Sequence, residues 1–140
     1  MSEVPDWNDF NRKIIEEFRS NGGKVGPPFA GADLLILTST GAKTQLPRTI
    51  PLVYLKDGER LVIIASKAGM PTHPDWYHNL VAHPEATVEV GTETYQVQAT
   101  LETGTERKRL FDAMAARMPV FTEYEQKAPR EIPVFTLTRK

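Results

Sequence analysis

The stretch that decides the fold is residues 49–66, TIPLVYLKDGERLVIIAS, in which two apolar runs flank a polar turn. The runs at 49–55 and 60–66 are rich in β-branched and aliphatic residues, which is typical of strands. Between them, Asp57-Gly58 is a strong short-range hairpin signal, because glycine tolerates the positive φ that a tight turn requires. The stretch therefore predicts two antiparallel strands joined by a short turn.

The pattern predicts four further strands, at residues 34–39, 86–90, 95–101 and 132–138. In the second and third of these, apolar and polar residues alternate, so each strand has one buried and one solvated face, as in an antiparallel sheet. Pro51 cannot donate to a sheet ladder, so its strand is expected at an edge or a bulge. About six short strands with hairpin connections indicate a small, mostly antiparallel β-barrel.

The N-terminal segment carries an apolar stripe at helical spacing, formed by Trp7, Phe10, Ile14 and Phe18. An Asn-Gly-Gly sequence ends the stripe, so residues 1–23 are expected to form an amphipathic N-terminal helix. Packing of this stripe on the body of the domain is the favoured interpretation. Contact with a membrane surface is the alternative.

Three more helices are predicted, a short one at residues 75–82 and a C-terminal pair at 105–118 and 121–127. Residues 24–32 are rich in glycine and proline and indicate an irregular linker. The chain has 140 residues, the size of one ordinary domain. The expected fold class is therefore mostly β with helices, α+β, in a single domain.

Composition removes several classes of protein. The net charge of −1 argues against a general nucleic-acid binder, which carries a basic face. The absence of cysteine removes thiol catalysis and cysteine-ligated metal centres. No apolar run approaches the roughly 18 residues of a membrane span, and residues 1–7 are acidic and polar, unlike a signal peptide. We therefore expect a cytoplasmic protein, with loose membrane association through the N-terminal helix as the alternative.

His73, His78 and His83 are the obvious metal-ligand candidates. They stand five residues apart, whereas a helix brings residues four apart onto one face. Surface histidines are the favoured interpretation, and no metal is expected. Ser39 and Ser66 lie in no recognised nucleophile frame, so a hydrolase has little support.

The turn at residues 41–48, GAKTQLPR, is more informative. It places two cations, a hydroxyl and several backbone amides on one loop between two strands, which is an anion site in outline. A solvated hairpin with ordinary surface lysine and arginine explains the same residues equally well. The loop is not a nucleoside-triphosphate P-loop, because the glycine spacing is missing and no helix follows.

Four segments together resemble the deazaflavin-dependent nitroreductase family, also called coenzyme F420-dependent quinone reductases. They are residues 35–51 (LILTSTGAKTQLPRTIP), 51–67 (PLVYLKDGERLVIIASK), 73–90 (HPDWYHNLVAHPEATVEV) and 132–134 (IPV). The resemblance implies one split β-barrel domain over residues 1–140. It also implies a reductase that transfers a hydride from reduced F420 to a small electron-poor acceptor: a quinone, an activated alkene such as an enone lactone, or a nitroaromatic.

The resemblance also implies roles for individual residues. The implied cofactor-binding residues are Lys43, Thr44, Pro47, Arg48, Pro51, Ala65, Ser66, Lys67, Trp76 and Asn79. The loop residues Lys43, Thr44, Pro47 and Arg48 hold the phosphate and acidic tail. The strand segments that contain Pro51, Ala65, Ser66 and Lys67 line the ring. Trp76 and Asn79 belong to a helix that closes over the ring. The implied substrate-binding residues are Met118, Phe121 and Tyr124. Tyr124 and Ser66 are the candidate proton donors to the acceptor oxygen.

The sequence departs from the family pattern at two places. The family usually has glycine where Gln45 stands, and often a basic residue at Ala42, so the shape of the loop and its grip on the cofactor tail are expected to differ. Met118 and Phe121 replace two tyrosines that some members carry. Two alternatives remain open: an FMN flavoprotein using the same basic loop for its phosphate, and a non-catalytic deazaflavin-binding module. The sequence assigns no oligomeric state.

Overall fold

The computed structural model describes residues 7–26 and 33–140, with side chains from residue 10 onward. Four helices and seven strands lie in these ranges: α1 (Trp7–Ser20), β1 (Leu34–Thr40), β2 (Pro47–Val53), β3 (Leu55–Asp57), β4 (Arg60–Ile64), α2 (Asp75–Ala82), β5 (Glu85–Val90), β6 (Glu93–Glu102), α3 (Gly104–Arg117), α4 (Val120–Lys127) and β7 (Val134–Arg139). The α+β class and the predicted helices are confirmed. Residues 1–6 of the predicted N-terminal helix and 27–32 of the linker lie outside the described residues.

The strands form one antiparallel sheet in the order β2-β1-β5-β6-β7-β4-β3. The sheet curls into a half-barrel, as predicted for a split barrel. The predicted Asp57-Gly58 turn is confirmed, because Asp57 pairs with Arg60 across it. A second tight turn joins β5 to β6, where Val90 pairs with Glu93. β2, which contains Pro51, lies at an edge as expected.

The sheet has seven strands where the sequence predicted about six, because the run at 49–55 divides at Tyr54. β2 pairs with β1 at one edge of the sheet, whereas β3 pairs with β4 at the other. The Tyr54 backbone N–H donates to the carbonyl of Asp33, the residue opposite it in the β1–β2 register, over 3.0 Å, so pairing with β1 continues up to the point of division. One continuous apolar run therefore supplies both edge strands of the half-barrel.

Helix α1 packs its apolar stripe on the outer face of the sheet. Ile14 and Phe18 are buried against Leu34 and Ile36 of β1, and Phe18 keeps only 1% of its surface exposed. Burial of one such side chain stabilises the fold by about 1.5 to 3 kcal/mol. The prediction of core packing is confirmed for these two residues, and their burial leaves neither for a membrane surface. The side chain of Trp7 lies outside the described residues.

Two further clusters fill the interior. Inside the curl, α2 covers a core of strand residues that includes Leu35, Ile63, Val88 and Leu137. On the other side, α3 and α4 cover β4 and β7. None of the helices in the described ranges is long and apolar enough to cross a membrane.

Candidate functional site

The loop at residues 41–48, here called the basic loop, joins β1 to β2 and closes on itself by hydrogen bonds. The Gly41 N–H donates to the Leu46 carbonyl over 2.8 Å, and the Gln45 N–H donates to the Gly41 carbonyl over 3.0 Å. The Thr44 hydroxyl accepts a hydrogen bond from the Leu46 N–H over 3.2 Å. A Cβ added at Gly41 would lie 2.5 Å from Thr44 Oγ1, so the closed loop leaves no room for a side chain there.

The basic loop presents cations and amides to solvent. Lys43 and Arg48 are exposed, and no carboxylate in residues 7–26 or 33–140 pairs with either of them. The backbone N–H groups of Lys43 and Thr44 likewise donate to no group in those ranges. Two cations and two unpaired N–H groups on one turn suit a multiply charged anion such as a phosphate.

Asn79 of α2 fastens that helix to the basic loop. Its Oδ1 accepts a hydrogen bond from the Ala42 N–H over 2.9 Å, and its Nδ2 donates to the Ser39 hydroxyl over 3.3 Å. The side chain is buried, with 6% of its surface exposed. The amide therefore acts on the shape of the loop. Sequence reasoning named Asn79 but missed both of its partners.

Gln45, which stands where the family usually has glycine, adopts a backbone conformation that favours glycine. Its φ of +62° lies in the left-handed region that favours glycine. Its side-chain amide donates to the Ala42 carbonyl over a long 3.4 Å, which holds the loop only weakly. The position therefore carries a conformational cost that a glycine would avoid.

We predict that Gln45→Gly raises the free energy of unfolding by about 0.5 to 1 kcal/mol. The left-handed conformation costs a non-glycine residue about 1 to 2 kcal/mol, and the greater unfolded-state freedom of glycine offsets about 0.5 to 1 kcal/mol of that gain. Urea unfolding measures the difference. Gln45→Ala, which keeps Cβ, is the matched control and should be no more stable than the parent. A glycine variant less stable than the alanine variant would contradict the account.

A second group of predicted residues follows β4. Ala65 and Ser66 are buried, and they lead into a turn, residues 66–70, that we call the left-handed turn. Lys67 and Ala68 have φ of +47° and +54°, and Lys67 donates through Nζ to the Thr72 hydroxyl over 3.0 Å. The Ser66 hydroxyl makes no hydrogen bond within the described part of the chain. It is therefore available to a bound molecule.

Helix α4, which carries the predicted substrate residues Phe121 and Tyr124, packs against this turn. A Cβ added at Gly69 would lie 3.0 Å from the Tyr124 carbonyl oxygen, so the turn and the helix are in direct contact. The Phe121 and Tyr124 rings meet edge to face, with centroids 5.5 Å apart. Phe121 is buried, while Met118 and Tyr124 are half-buried. The Tyr124 hydroxyl has no partner among residues 7–26 and 33–140.

The remaining predicted residues lie in the sheet and its core. Trp76 belongs to the inner cluster with Ala65, and its ring lies 5.9 Å from that of Phe135. Pro51 is buried in β2 opposite Ile36. The structure thus forms two groups, the basic loop with Asn79, and the left-handed turn with α4.

A groove of about 370 Å³ lies beside the basic loop. Its lining is Thr38, Ser39, Thr40, Gln45, Pro47, Glu85, Ala86, Thr87 and Gln96. The lining includes Glu85, whose carboxylate pairs with Lys140 Nζ at 2.9 Å, and neither Lys43 nor Arg48. A phosphate is therefore better served by the loop than by this groove.

Arg130, between α4 and β7, was not singled out from the sequence, yet it bonds to the left-handed turn. Its guanidinium donates to the Ala65 and Ser66 carbonyls and to His73 Nδ1. A guanidinium only donates, so His73 Nδ1 accepts and the ring proton is on Nε2. No local sequence pattern connects the two residues, because Arg130 lies 64 residues from Ser66 in an irregular segment.

The three histidines lie in different surroundings. His78 is exposed, whereas His73 and His83 are half-buried, and the His73 ring stacks on that of Tyr77 with centroids 4.1 Å apart. Within the described ranges, no three histidine, aspartate or glutamate residues are placed to hold a metal ion. Burial lowers the pKa of His73, and the nearby Arg130 and His78 lower it further.

We predict that the protein loses stability below pH 6.5 in a manner that depends on His73. The folded state holds this ring neutral, so the unfolded state binds more protons between its own pKa and the lowered folded pKa. The free energy of unfolding does not depend on this ring above pH 6.5. It decreases as the pH falls from 6.5 to the lowered pKa of the folded state. Urea unfolding between pH 7.5 and 5 measures the slope. His73→Phe, which keeps the stack on Tyr77, should flatten it, and an unchanged slope would contradict the assignment.

Comparison with known proteins places the chain in a family. Residues 10–139 match the profile of the family described as F420H(2)-dependent quinone reductase. The chain belongs to this F420H2-dependent quinone reductase family. An F420H2-dependent quinone reductase of Mycobacterium tuberculosis is 38% identical over 127 residues, which cover 88% of this chain and 85% of that protein. The family resemblance read from the sequence is confirmed.

Two solved structures also support membership of the F420H2-dependent quinone reductase family. The F420-H2 dependent reductase FDR-A has 33% identity and a TM-score of 0.69, and the match covers 75% of this chain and 93% of that one. A structure described as a domain-swapped dimer has 30% identity and a TM-score of 0.71, with 94% of this chain and 97% of that one covered.

Proposed function

We propose that the chain oxidises F420H2 and passes its hydride to a quinone or a similar electron-poor acceptor. The observation that carries the proposal is the basic loop, in which Lys43, Arg48 and two backbone N–H groups face solvent without internal partners. Such a loop fits the phosphate and acidic tail of F420, because each anionic oxygen finds a donor that the fold does not itself use.

Different residues would bind different parts of the cofactor. Lys43 and Arg48 bind the phosphate and tail, with Thr44 and Pro47 giving the loop its shape. Asn79 supports the loop through its bond to the Ala42 N–H. The ring-lining residues are Pro51, Ala65, Ser66, Lys67 and Trp76.

Bound F420H2 supplies a hydride, because its ring has carbon where a flavin has nitrogen at position 5. The chain supplies position and a proton. Phe121 and Met118 form an apolar wall that holds a flat acceptor and excludes water. Tyr124 donates a proton to the acceptor oxygen, and Ser66 is the second donor on the side of the turn.

Binding of oxidised F420 and FMN to the purified chain, measured side by side, separates this proposal from a flavoprotein. Both carry a phosphate, but F420 also carries an acidic tail that a second cation can bind. We expect F420 to bind at least about tenfold more tightly, since one charge-assisted contact contributes about 1.5 to 3 kcal/mol. Equal or tighter binding of FMN would favour the flavoprotein. F420 binding without turnover on any acceptor would favour the non-catalytic module.

A further inference from the structure

We propose that Arg130 is a positioning residue that holds the left-handed turn, and with it Ser66 and Lys67, in register with Tyr124 on α4. The consequence for turnover rests on the proposed function. The mechanical role does not, because it follows from contacts within the chain.

Arg130 makes an unusual set of hydrogen bonds for a half-buried arginine. Its guanidinium donates to Ala65 O at 3.3 Å, Ser66 O at 3.0 Å, Met70 O at 3.1 Å and His73 Nδ1 at 3.1 Å. No carboxylate in residues 7–26 or 33–140 pairs with it. Its five N–H donors lie in a rigid plane, whereas a lysine has three on a flexible stem. Only the planar fork reaches both ends of the turn at once.

The turn needs to be held from outside. Lys67 and Ala68 adopt positive φ although neither is glycine, and Gly69 continues the same sense with φ of +77°. Such conformations persist only where the surrounding structure fixes them. Within the turn, the bonds are Gly69 N–H to Ser66 O and Met70 N–H to Lys67 O. Arg130 adds the restraint from outside by bonding on both sides of the strained residues.

The same turn sets the position of α4. The Gly69 backbone packs so closely that an added Cβ would lie 3.0 Å from the Tyr124 carbonyl oxygen and 3.1 Å from Lys127 Cβ. Arg130 itself follows α4 by three residues. The left-handed turn therefore contacts both α4 and Arg130. A shift of the turn changes the distance between Ser66 and Tyr124.

Arg130→Lys tests this arrangement, with Arg117→Lys as the matched control, since Arg117 makes one exposed bond to Asp33. We expect Arg130→Lys to speed amide hydrogen exchange in the turn and α4 but not in β5 and β6. Because lysine cannot make all the hydrogen bonds of the Arg130 guanidinium, we expect kcat for F420H2 oxidation to fall about tenfold. The control variant should match the parent in both measurements.

A rescue variant separates positioning from general stability. Ala68→Gly removes the cost of positive φ, so the turn needs less restraint, and in the Arg130→Lys background it should restore both slow exchange and kcat. Ala116→Gly, on the exposed face of α3, should not. If Arg130→Lys fails to fold, His73→Phe removes one acceptor and should give the same changes at smaller size.

The outcomes are distinct. Unchanged exchange in the turn and α4 of Arg130→Lys would overturn the proposal. Faster exchange with unchanged kcat would overturn the positioning role and leave a structural one. If the parent chain oxidises no F420H2, the proposed function fails, and the exchange pattern with its Ala68→Gly rescue still decides whether Arg130 holds the turn.

Discussion

Arg48→Ala is expected to weaken F420 binding by about 10- to 100-fold, because one charge-assisted contact to a phosphate contributes about 1.5 to 3 kcal/mol. Arg48 has no internal carboxylate among the described residues, so the substitution removes a ligand contact without breaking an ion pair of the fold. Fluorescence titration with oxidised F420 measures the change. The loss should shrink as salt rises, since exposed charge contacts are screened.

Arg117→Ala is the matched control for Arg48→Ala. It removes the same charge from an exposed helix position and breaks only a surface pair with Asp33, so F420 affinity should stay at the parent value. An Arg48→Ala variant that binds F420 as tightly as the parent would remove the basic loop from the cofactor site. An equal loss in both variants would show only a general effect of net charge.

Tyr124→Phe is expected to lower kcat by at least about 100-fold, since a positioned general acid typically contributes 100- to 10,000-fold in rate. The ring is kept, so its edge-to-face contact with Phe121 survives. The F420 affinity should hardly change, because the hydroxyl acts on the acceptor oxygen and not on the ring. Tyr95→Phe removes a hydroxyl from a half-buried tyrosine of β6, away from the turn, and should leave kcat unchanged.

Ser66→Ala decides between the two candidate donors. If Tyr124→Phe leaves kcat unchanged while Ser66→Ala lowers it, the proton comes from the turn and not from α4. If neither variant lowers kcat, the acceptor oxygen takes its proton from water. Deuterium carried by the hydride of the reduced cofactor should appear on the product carbon of an alkene acceptor in every case.

The parts of the fold that the sequence predicted are those fixed by local chemistry. The Asp57-Gly58 turn needs a glycine at positive φ, and Gly58 has φ of +62°. The stripe of α1 buries Ile14 and Phe18 as its spacing predicts. The break at Tyr54 carried no such signal, because both halves of the run are apolar. Which edge each half joins is decided by strands distant in the chain.

The candidate site divides in the same way. The basic loop was visible because its cations, hydroxyl and amides lie within eight consecutive residues. The bond from Asn79 to Ala42 spans 37 residues, and that from Arg130 to Ser66 spans 64, so only the folded chain brings them together. Sequence patterns therefore indicate a local loop more readily than the distant residues that hold it in place.

The most direct test of the central claim is anaerobic oxidation of F420H2 by the purified chain with a water-soluble quinone. We expect oxidised F420 to appear only when the chain and the quinone are both present, in an amount equal to the quinone reduced. We also expect that the chain does not accelerate the oxidation of reduced FMN by the same quinone. If the chain does not accelerate oxidation of F420H2 by a quinone, an activated alkene or a nitroaromatic, it is not an F420H2-dependent reductase of these acceptors.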